Sequence, residues 1–82
     1  MKNDASRIVS KEGLADFIEA LRDDFLQNSS EWENPTLDSY LEAMAAWVRD
    51  SDGCYRNIGE TPPTSPSWRT VADMLAAAKI YE

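Results

Sequence analysis

The sequence has no histidine and only one cysteine, Cys54, among its 82 residues. Without histidine the commonest general base and the usual zinc ligand are both missing. A single cysteine excludes an internal disulfide and is typical of a reducing compartment. The three glycines are scattered, so no glycine-rich phosphate-binding loop is present. These absences predict a protein that is not an enzyme, with no metal site and no cofactor.

Basic residues are also scarce, with 8 Lys and Arg against 15 Asp and Glu and a net charge of −7. Nucleic acids and anionic membranes both attract proteins through Lys and Arg, so we expect neither as a partner. No apolar run is long enough to span a bilayer, and the first residues lack the apolar stretch of a secretory signal. We therefore expect a cytoplasmic protein whose partner, where charge assists binding, presents a basic surface.

Apolar residues recur at helical spacing in three segments and predict helices over residues of about 11–27, 36–50 and 66–81. The first face carries Leu14, Phe17, Ile18, Leu21 and Phe25; the second carries Leu37, Tyr40, Leu41, Met44, Trp47 and Val48; the third carries Trp68, Val71, Ala72, Leu75 and Ala78. No segment shows the sustained alternation of a strand. The pattern predicts an all-α fold, a small three-helix bundle with a long ordered loop between the second and third helices.

Residues 1–9 are mixed polar and are predicted to form a loosely ordered N-terminus before a single helical domain over residues 10–82. Ser10 is the expected cap of the first helix, and either Asn34 or Thr36 caps the second. Gly53 is suited to a left-handed cap at the end of the second helix. The cleanest apolar stripe belongs to this second helix, so we predict that it lies at the centre of the bundle, with residues 37–48 as plain core.

An acidic line follows the outer face of the first predicted helix. Glu12, Asp16, Glu19 and Asp23 succeed one another at intervals of four, three and four residues, with no basic residue between them in the line. Like charges at this spacing repel one another by a few tenths of a kcal/mol per pair. The line is interpreted either as a docking surface for a basic partner or as a solvated face of an acidic protein. Loose binding of divalent cations is a third, weaker interpretation, since helix-surface carboxylates form no closed oxygen cage.

The tryptophans fall into two groups. Trp47 and Trp68 lie on apolar helical faces and are predicted to be core residues. Trp32 stands among charged residues before a helix, where a partly exposed ring would anchor an interface, and Tyr55 is the next candidate. The polar stretch of residues 50–60 is predicted to be a turn, in which Asp52, Tyr55 and Asn57 are further candidates for binding a partner, a small ligand or a divalent ion.

Several of these residues also form a pattern that resembles a family of small bacterial proteins of unknown function. The pattern comprises Trp32-Glu33-Asn34, Thr36-Leu37, Tyr40-Leu41-Glu42-Ala43-Met44, Trp47, Asp52-Gly53, Tyr55, Asn57, Pro66-Ser67-Trp68 and Ala77-Ala78-Lys79-Ile80-Tyr81-Glu82. The resemblance covers residues 30–82 well and the first helix weakly. It implies a bacterial, single-domain, stand-alone protein, and it supplies no ligand or mechanism.

The sequence thus favours a small acidic protein-interaction module without catalytic activity. By analogy of size and charge alone, a sharper version is an immunity-type inhibitor of a basic toxin. The alternative is a module that responds to a small ligand or a divalent ion through the turn at residues 50–60. Exposed alanines on the second or third helix also allow a homodimer.

Overall fold

The computed structural model describes residues 5–81, apart from the side chain of Ser6. Over this range the chain forms three α-helices and no strand, which confirms the predicted all-α helical bundle. The helices are α1 (Lys11–Asn28), α2 (Leu37–Asn57) and α3 (Trp68–Ala78), and short 3-10 turns occupy Ala5–Arg7 and Ser29–Glu31. No described helix combines the length and the apolar content that a membrane span requires.

Helix α1 begins at the predicted position because Ser10 caps it. The Ser10 hydroxyl accepts a hydrogen bond from the backbone N–H of Gly13 at 3.0 Å. The inward face of α1 buries Leu14, Phe17 and Leu21, which form the main hydrophobic cluster together with one residue of α3. Helical spacing of apolar residues therefore places this helix and most of its buried face, although Ile18 of the predicted face is exposed.

The first residues of the described range add to this cluster. The predicted loose N-terminus spans residues 1–9, of which residues 1–4 lie outside the described part of the chain. Ala5–Arg7 forms a 3-10 turn that packs against α3. Ala5 and Ile8 contact the main cluster, so two apolar side chains attach the N-terminal turn to the bundle.

Capping boxes start the other two helices and decide between the predicted alternatives. The cap of α2 is Thr36 and not Asn34. The Thr36 hydroxyl accepts a hydrogen bond from the backbone N–H of Ser39 at 3.1 Å, and the backbone N–H of Thr36 donates one to the Ser39 hydroxyl. Ser67 caps α3 in the same way through Thr70. Such reciprocal pairs satisfy N–H groups that have no partner within the helix. Helix α3 therefore begins at Trp68, slightly later than predicted.

The predicted end of α2 near Asp50 is wrong, because the helix continues to Asn57. Gly53 lies inside the helix and does not cap it. An interior glycine costs about 1 kcal/mol relative to alanine. The continuation offsets this cost by burying Tyr55, whose exposed fraction is only 6%. The left-handed glycine is Gly59, at φ 79°, just beyond the last turn of α2.

Because α2 is longer than predicted, the connection to α3 is reduced to residues 58–67. Its start is tied to α3 by an ion pair between Glu60 and Arg69 at 2.9 Å. Pro63 lines a cleft beside the buried Tyr55. The stretch of residues 50–60, predicted to be one polar turn, is therefore mostly helix.

Helix α3, and not α2, lies at the centre of the bundle. It packs against α1, α2 and the N-terminal 3-10 turn, whereas α1 and α2 make little contact with each other. Ala72 and Ala78 are completely buried. Small side chains let neighbouring backbones approach closely, so the short helix α3 can pack against both α1 and α2. The alanines of α3 therefore mark the centre, which the cleaner apolar stripe of α2 does not.

The apolar face of α2 is divided, so the prediction that residues 37–48 are plain core is also wrong. Trp47 faces α3 and is buried, as predicted, together with Ala43. Leu37, Leu41 and Val48 are exposed. At about 100° per residue these three share a side of α2 that lies about 90° away from the side facing α3. Along residues 37–48, no helix of the described chain covers that side.

Trp68 also departs from its predicted place in the core, since its ring is 44% exposed. Trp68 is the first residue of α3. Side chains on a helix tilt toward its N-terminus, so the ring of the first residue projects past the helix start. It lies beside Pro66 and Val71 at the edge of the bundle.

Candidate functional site

The predicted acidic line lies along the outer face of α1. All four carboxylates, Glu12, Asp16, Glu19 and Asp23, are exposed. They lie opposite the buried face of α1 and so do not contribute to the core. Their role in binding stays a prediction, and their positions leave them available to a partner.

The three candidates from the polar stretch of residues 50–60 do not lie in one loop. Asp52 and Asn57 are exposed on the last turns of α2. Tyr55 is buried, and its hydroxyl donates to a carboxylate oxygen of Asp73 at 2.6 Å. Burial and the neighbouring carboxylate raise the pKa of Tyr55 above its ordinary value. Tyr55 therefore ties α2 to α3 and is not offered to a partner.

Trp32 packs against α1 and α2 and is half-buried. Its ring lies 5.1 Å from that of Phe25, edge-on, and 5.8 Å from that of Tyr40, stacked. The indole N–H donates to Asp24 at 2.8 Å. Lys79, at the end of α3, forms an ion pair with the same carboxylate at 2.7 Å and lies over the Trp32 ring. Trp32 thus joins all three helices, and one edge of its ring lines a groove described below.

Asp24 makes this cluster sensitive to acid. Hydrogen bonds from Lys79 and Trp32 hold the pKa of Asp24 below its ordinary value. A carboxylate whose pKa is lower in the folded state stabilises the fold above the unfolded-state pKa, and this contribution is lost as the pH falls through the folded pKa.

The variant Asp24→Asn should therefore unfold at a lower urea concentration than the natural chain at neutral pH, since its amide cannot replace the charge paired with Lys79. The difference should shrink once the pH falls below 3.8, the ordinary pKa of the carboxyl group, and should disappear at still lower pH. Urea denaturation followed by circular dichroism at several pH values measures it. The neighbouring variant Asp23→Asn, on the exposed acidic line, is the control. If Asp24→Asn unfolds at a lower urea concentration than the natural chain by the same amount at every pH, the Asp24 charge does not have this role.

Asn34 closes the end of α3. Its side-chain amide donates to the backbone carbonyls of Ala78 at 3.1 Å and Tyr81 at 2.7 Å, and its backbone N–H donates to the carbonyl of Lys79 at 3.2 Å. The last carbonyls of a helix have no partner within the helix itself. Asn34 supplies those partners from a position far away in the sequence.

Two more tyrosine hydroxyls join the helices. The Tyr40 hydroxyl on α2 donates to the carbonyl of Leu75 at 2.7 Å, and burial raises its pKa to about 12. The Tyr81 hydroxyl donates to Asp50 at 2.5 Å, and this hydrogen bond raises its pKa to about 12. Most polar residues of the family-like pattern, from Trp32 and Asn34 to Lys79 and Tyr81, therefore hold the fold together.

An open, mostly apolar groove of about 370 Å³ lies between α1 and α2, and we call it the α1–α2 groove. Ile18 and Phe25 line it from α1, Leu37 and Tyr40 from α2, and Leu75 of α3 also contributes. Leu37 is 73% exposed, and Ile18 is exposed as well. The groove exists because α3 lies between the other two helices and holds them apart.

The apolar surface continues beyond the groove along α2. Leu41 and Val48 lie on the same side of α2 as Leu37 at helical spacing, and both are exposed. Of the residues that line the groove, Trp32 is among the predicted site residues. The apolar residues of α1 and α2 are not, because their spacing assigns them to the core. The sequence offers little signal for them, since an apolar face of about 120° on α2 is ordinary for a helix that packs on a core.

Among the described residues no cluster of three His, Cys, Asp or Glu side chains is arranged to hold a metal ion. Cys54 is half-buried in a second cleft, of about 320 Å³, lined also by Trp47, Ile58 and Ile80. Its lining is mostly apolar and includes one ion-paired residue pair, Arg69 and Asp73.

No curated protein and no solved structure matches the chain. A family model does match, over residues 10–82. The match includes α1, for which the resemblance in sequence is weak. By this match the chain belongs to DUF7660, a family of unknown function.

Proposed function

We propose that this protein is a non-catalytic protein-interaction module, in which the α1–α2 groove docks a protein partner with a basic surface. The observation that carries the proposal is the exposed apolar surface of Ile18, Leu37, Leu41 and Val48 in a chain of net charge −7. Contiguous exposed apolar surface of this kind marks interaction sites in small soluble proteins.

Several apolar side chains beside the groove are left largely unburied by the bundle. Fully burying a leucine or isoleucine side chain contributes about 1.5–3 kcal/mol. Leu37 forgoes most of this contribution in the isolated chain, and Ile18 and Leu41 forgo about half of it. A docked partner would recover it, which gives these residues a role in binding that they do not have in folding.

The open shape of the groove favours a protein over a small molecule. Its volume of about 370 Å³ is within the usual range for a ligand site. Such sites bury most of the ligand, however, whereas this groove is open toward solvent between α1 and α2. An extended partner surface can cover an open groove, and a small ligand in it would remain largely wet.

The titration of the side chains supports a non-catalytic role. General acids and bases work best when their pKa lies near the ambient pH. Here the displaced pKa values move away from neutrality: that of Asp24 downward, and those of Tyr40 and Tyr81 upward to about 12. Each displacement has a structural cause that accounts for it, as expected for contacts that hold the fold.

The surface charge supports a basic partner. Two acidic chains repel each other, so a net charge of −7 disfavours a homodimer through this face. An immunity-type inhibitor of a basic toxin is the sharper form of the same proposal, in a reducing cytoplasm that suits the unpaired Cys54. The alternative of a module that responds to a small ligand or a divalent ion through residues 50–60 stays a prediction, although most of that stretch is helix and not a turn.

The test is a comparison of three baits in an extract of the organism that encodes the chain: the natural sequence, Leu37→Ser in the groove, and Ile58→Ser. Ile58 is a matched control, since it is 66% exposed and lines the second cleft instead. We expect one partner that the natural chain and Ile58→Ser retain and Leu37→Ser loses, and whose purified form binds directly with the same dependence. If every protein that the natural chain retains at low salt is retained equally by Leu37→Ser, the proposal is wrong.

A further inference from the structure

We propose that the element docked in the α1–α2 groove is a basic amphipathic helix of the partner. This inference rests on the proposed function and specifies the occupant. Its support is the shape of the groove, the spacing of the apolar side chains and the charges beside them.

The walls of the groove are helices, and the apolar stripe that continues from the groove along α2 follows helical spacing. Leu37, Leu41, Met44 and Val48 succeed one another at intervals of four, three and four residues along α2, and all but the half-buried Met44 are exposed. They span about 16 Å at about 1.5 Å per residue. Ile18 and Phe25 form the facing wall on α1 over about 10 Å.

A helix of about three turns matches this length. Its apolar side chains at positions i, i+4, i+7 and i+11 would lie along the stripe of α2. Helix-in-groove docking of this type is a recurrent mode of peptide recognition, in which apolar anchors on one face supply the contact. An extended strand is a poorer fit, because the described chain offers helices and no sheet edge with which it could pair.

The charges beside the groove favour a basic occupant. On α1 the exposed Glu19 follows Ile18 in the sequence, and on α2 the exposed Asp38 and Glu42 follow Leu37 and Leu41. Among the described lining residues, Arg22 is the one charged side chain. The net charge of −7 around this single guanidinium attracts Lys and Arg on the flanks of the incoming helix, and it repels an acidic one.

The same charges disfavour a second copy of the chain as the occupant. Each copy would bring the acidic line of α1 and a net charge of −7 to the contact. Like charges that face each other across an interface repel, and this repulsion lowers the affinity of one copy for another. A basic helix of a different protein removes this repulsion and covers the same apolar stripe.

The test is an unbiased selection from a displayed library of randomised helical peptides, using the natural chain as the target and Leu37→Ser for counter-selection. We expect the enriched peptides to carry apolar residues at i, i+4, i+7 and i+11 and a net positive charge. A synthetic representative should bind the natural chain and Ile58→Ser equally and Leu37→Ser at least about tenfold more weakly. Its affinity should also fall at least about fivefold when the ionic strength rises from about 0.05 to 0.5 M.

Each other outcome contradicts a defined part of the proposal. If the enriched peptides depend on Leu37 but are neutral or acidic, docking in the groove is supported, and the proposal that the docked helix is basic is wrong. Basic peptides that bind Leu37→Ser as well as the natural chain would show charge-driven binding elsewhere and overturn both. If no peptide is enriched, the proposal of a helical occupant is wrong. If the natural chain forms a dimer in sedimentation and Leu37→Ser does not, the occupant of the groove is a second copy of the chain.

Discussion

Replacing Trp32 with alanine is expected to lower the free energy of unfolding by about 3 kcal/mol. The ring contacts Phe25 on α1 and Tyr40 on α2, and its N–H donates to Asp24. The variant loses these contacts and leaves a void where the three helices meet. A chain of this size has a total stability of about 4–12 kcal/mol, so the loss would be a large fraction of it.

Trp68→Ala is the matched control, since the same side chain is removed from a site that is 44% exposed at the edge of the bundle. We expect a loss below about 1 kcal/mol there. Urea denaturation followed by circular dichroism compares both variants without relying on tryptophan fluorescence. Equal losses in the two variants would refute the assignment of Trp32 as the residue that joins the three helices.

Asn34→Asp is expected to lower the free energy of unfolding by about 2 kcal/mol, although the two side chains have the same shape. The natural amide donates to the carbonyl oxygens of Ala78 and Tyr81. A carboxylate can only accept hydrogen bonds, so it would oppose these oxygens at the negative end of the α3 dipole. The loss should exceed that of Asn34→Ala, which removes the donor without adding a charge.

Acid should partly rescue Asn34→Asp. The repulsion raises the pKa of the new carboxyl group in the folded state, and the protonated group again offers an O–H donor. The penalty is therefore present above that pKa and is lost as the pH falls through it. The difference in free energy of unfolding between Asn34→Asp and Asn34→Ala should therefore become smaller as the pH falls from 7 to about 4. Asn57→Asp, at the exposed end of α2, is the control, and an equal loss there would show that Asn34 has no special role.

The helices are predictable from the sequence where local rules decide. The first apolar face places α1, and Ser10 sets its start. Gly53 fails as a stop signal because the burial of Tyr55 outweighs the local cost of an interior glycine. That burial depends on the Tyr55–Asp73 contact between α2 and α3, which no local pattern of α2 contains. The end of α2 is therefore decided by tertiary packing.

The candidate site is less predictable than the fold. An exposed leucine and a buried leucine have the same letter in the sequence, so apolar spacing alone assigns the α2 stripe to the core. Whether Leu37 is covered depends on which helix lies at the centre, and the small residues Ala72 and Ala78 decide this in favour of α3. The acidic line is visible from spacing alone, since its four carboxylates share one face of α1 opposite the apolar one.

The pattern that resembles a family points first to the polar residues as the place of function. Most of them have a structural role instead, since Trp32, Asn34 and Lys79 bring the two ends of the pattern together. Residues that make such long-range polar contacts are needed for the fold whatever the protein binds. The apolar surface exposed between α1 and α2 is the α1–α2 groove.

The open groove is tested most directly by the solvent exposure of its methyl groups in the free protein. Methyl NMR with a soluble paramagnetic probe, at low protein concentration, measures this exposure residue by residue. We expect strong relaxation enhancement for Leu37, approaching that of the exposed Val9, intermediate enhancement for Ile18, and little for the buried Leu14 and Leu21. Protection of Leu37 and Ile18 equal to that of Leu21 would mean that α1 and α2 close on each other, and it would contradict the open groove.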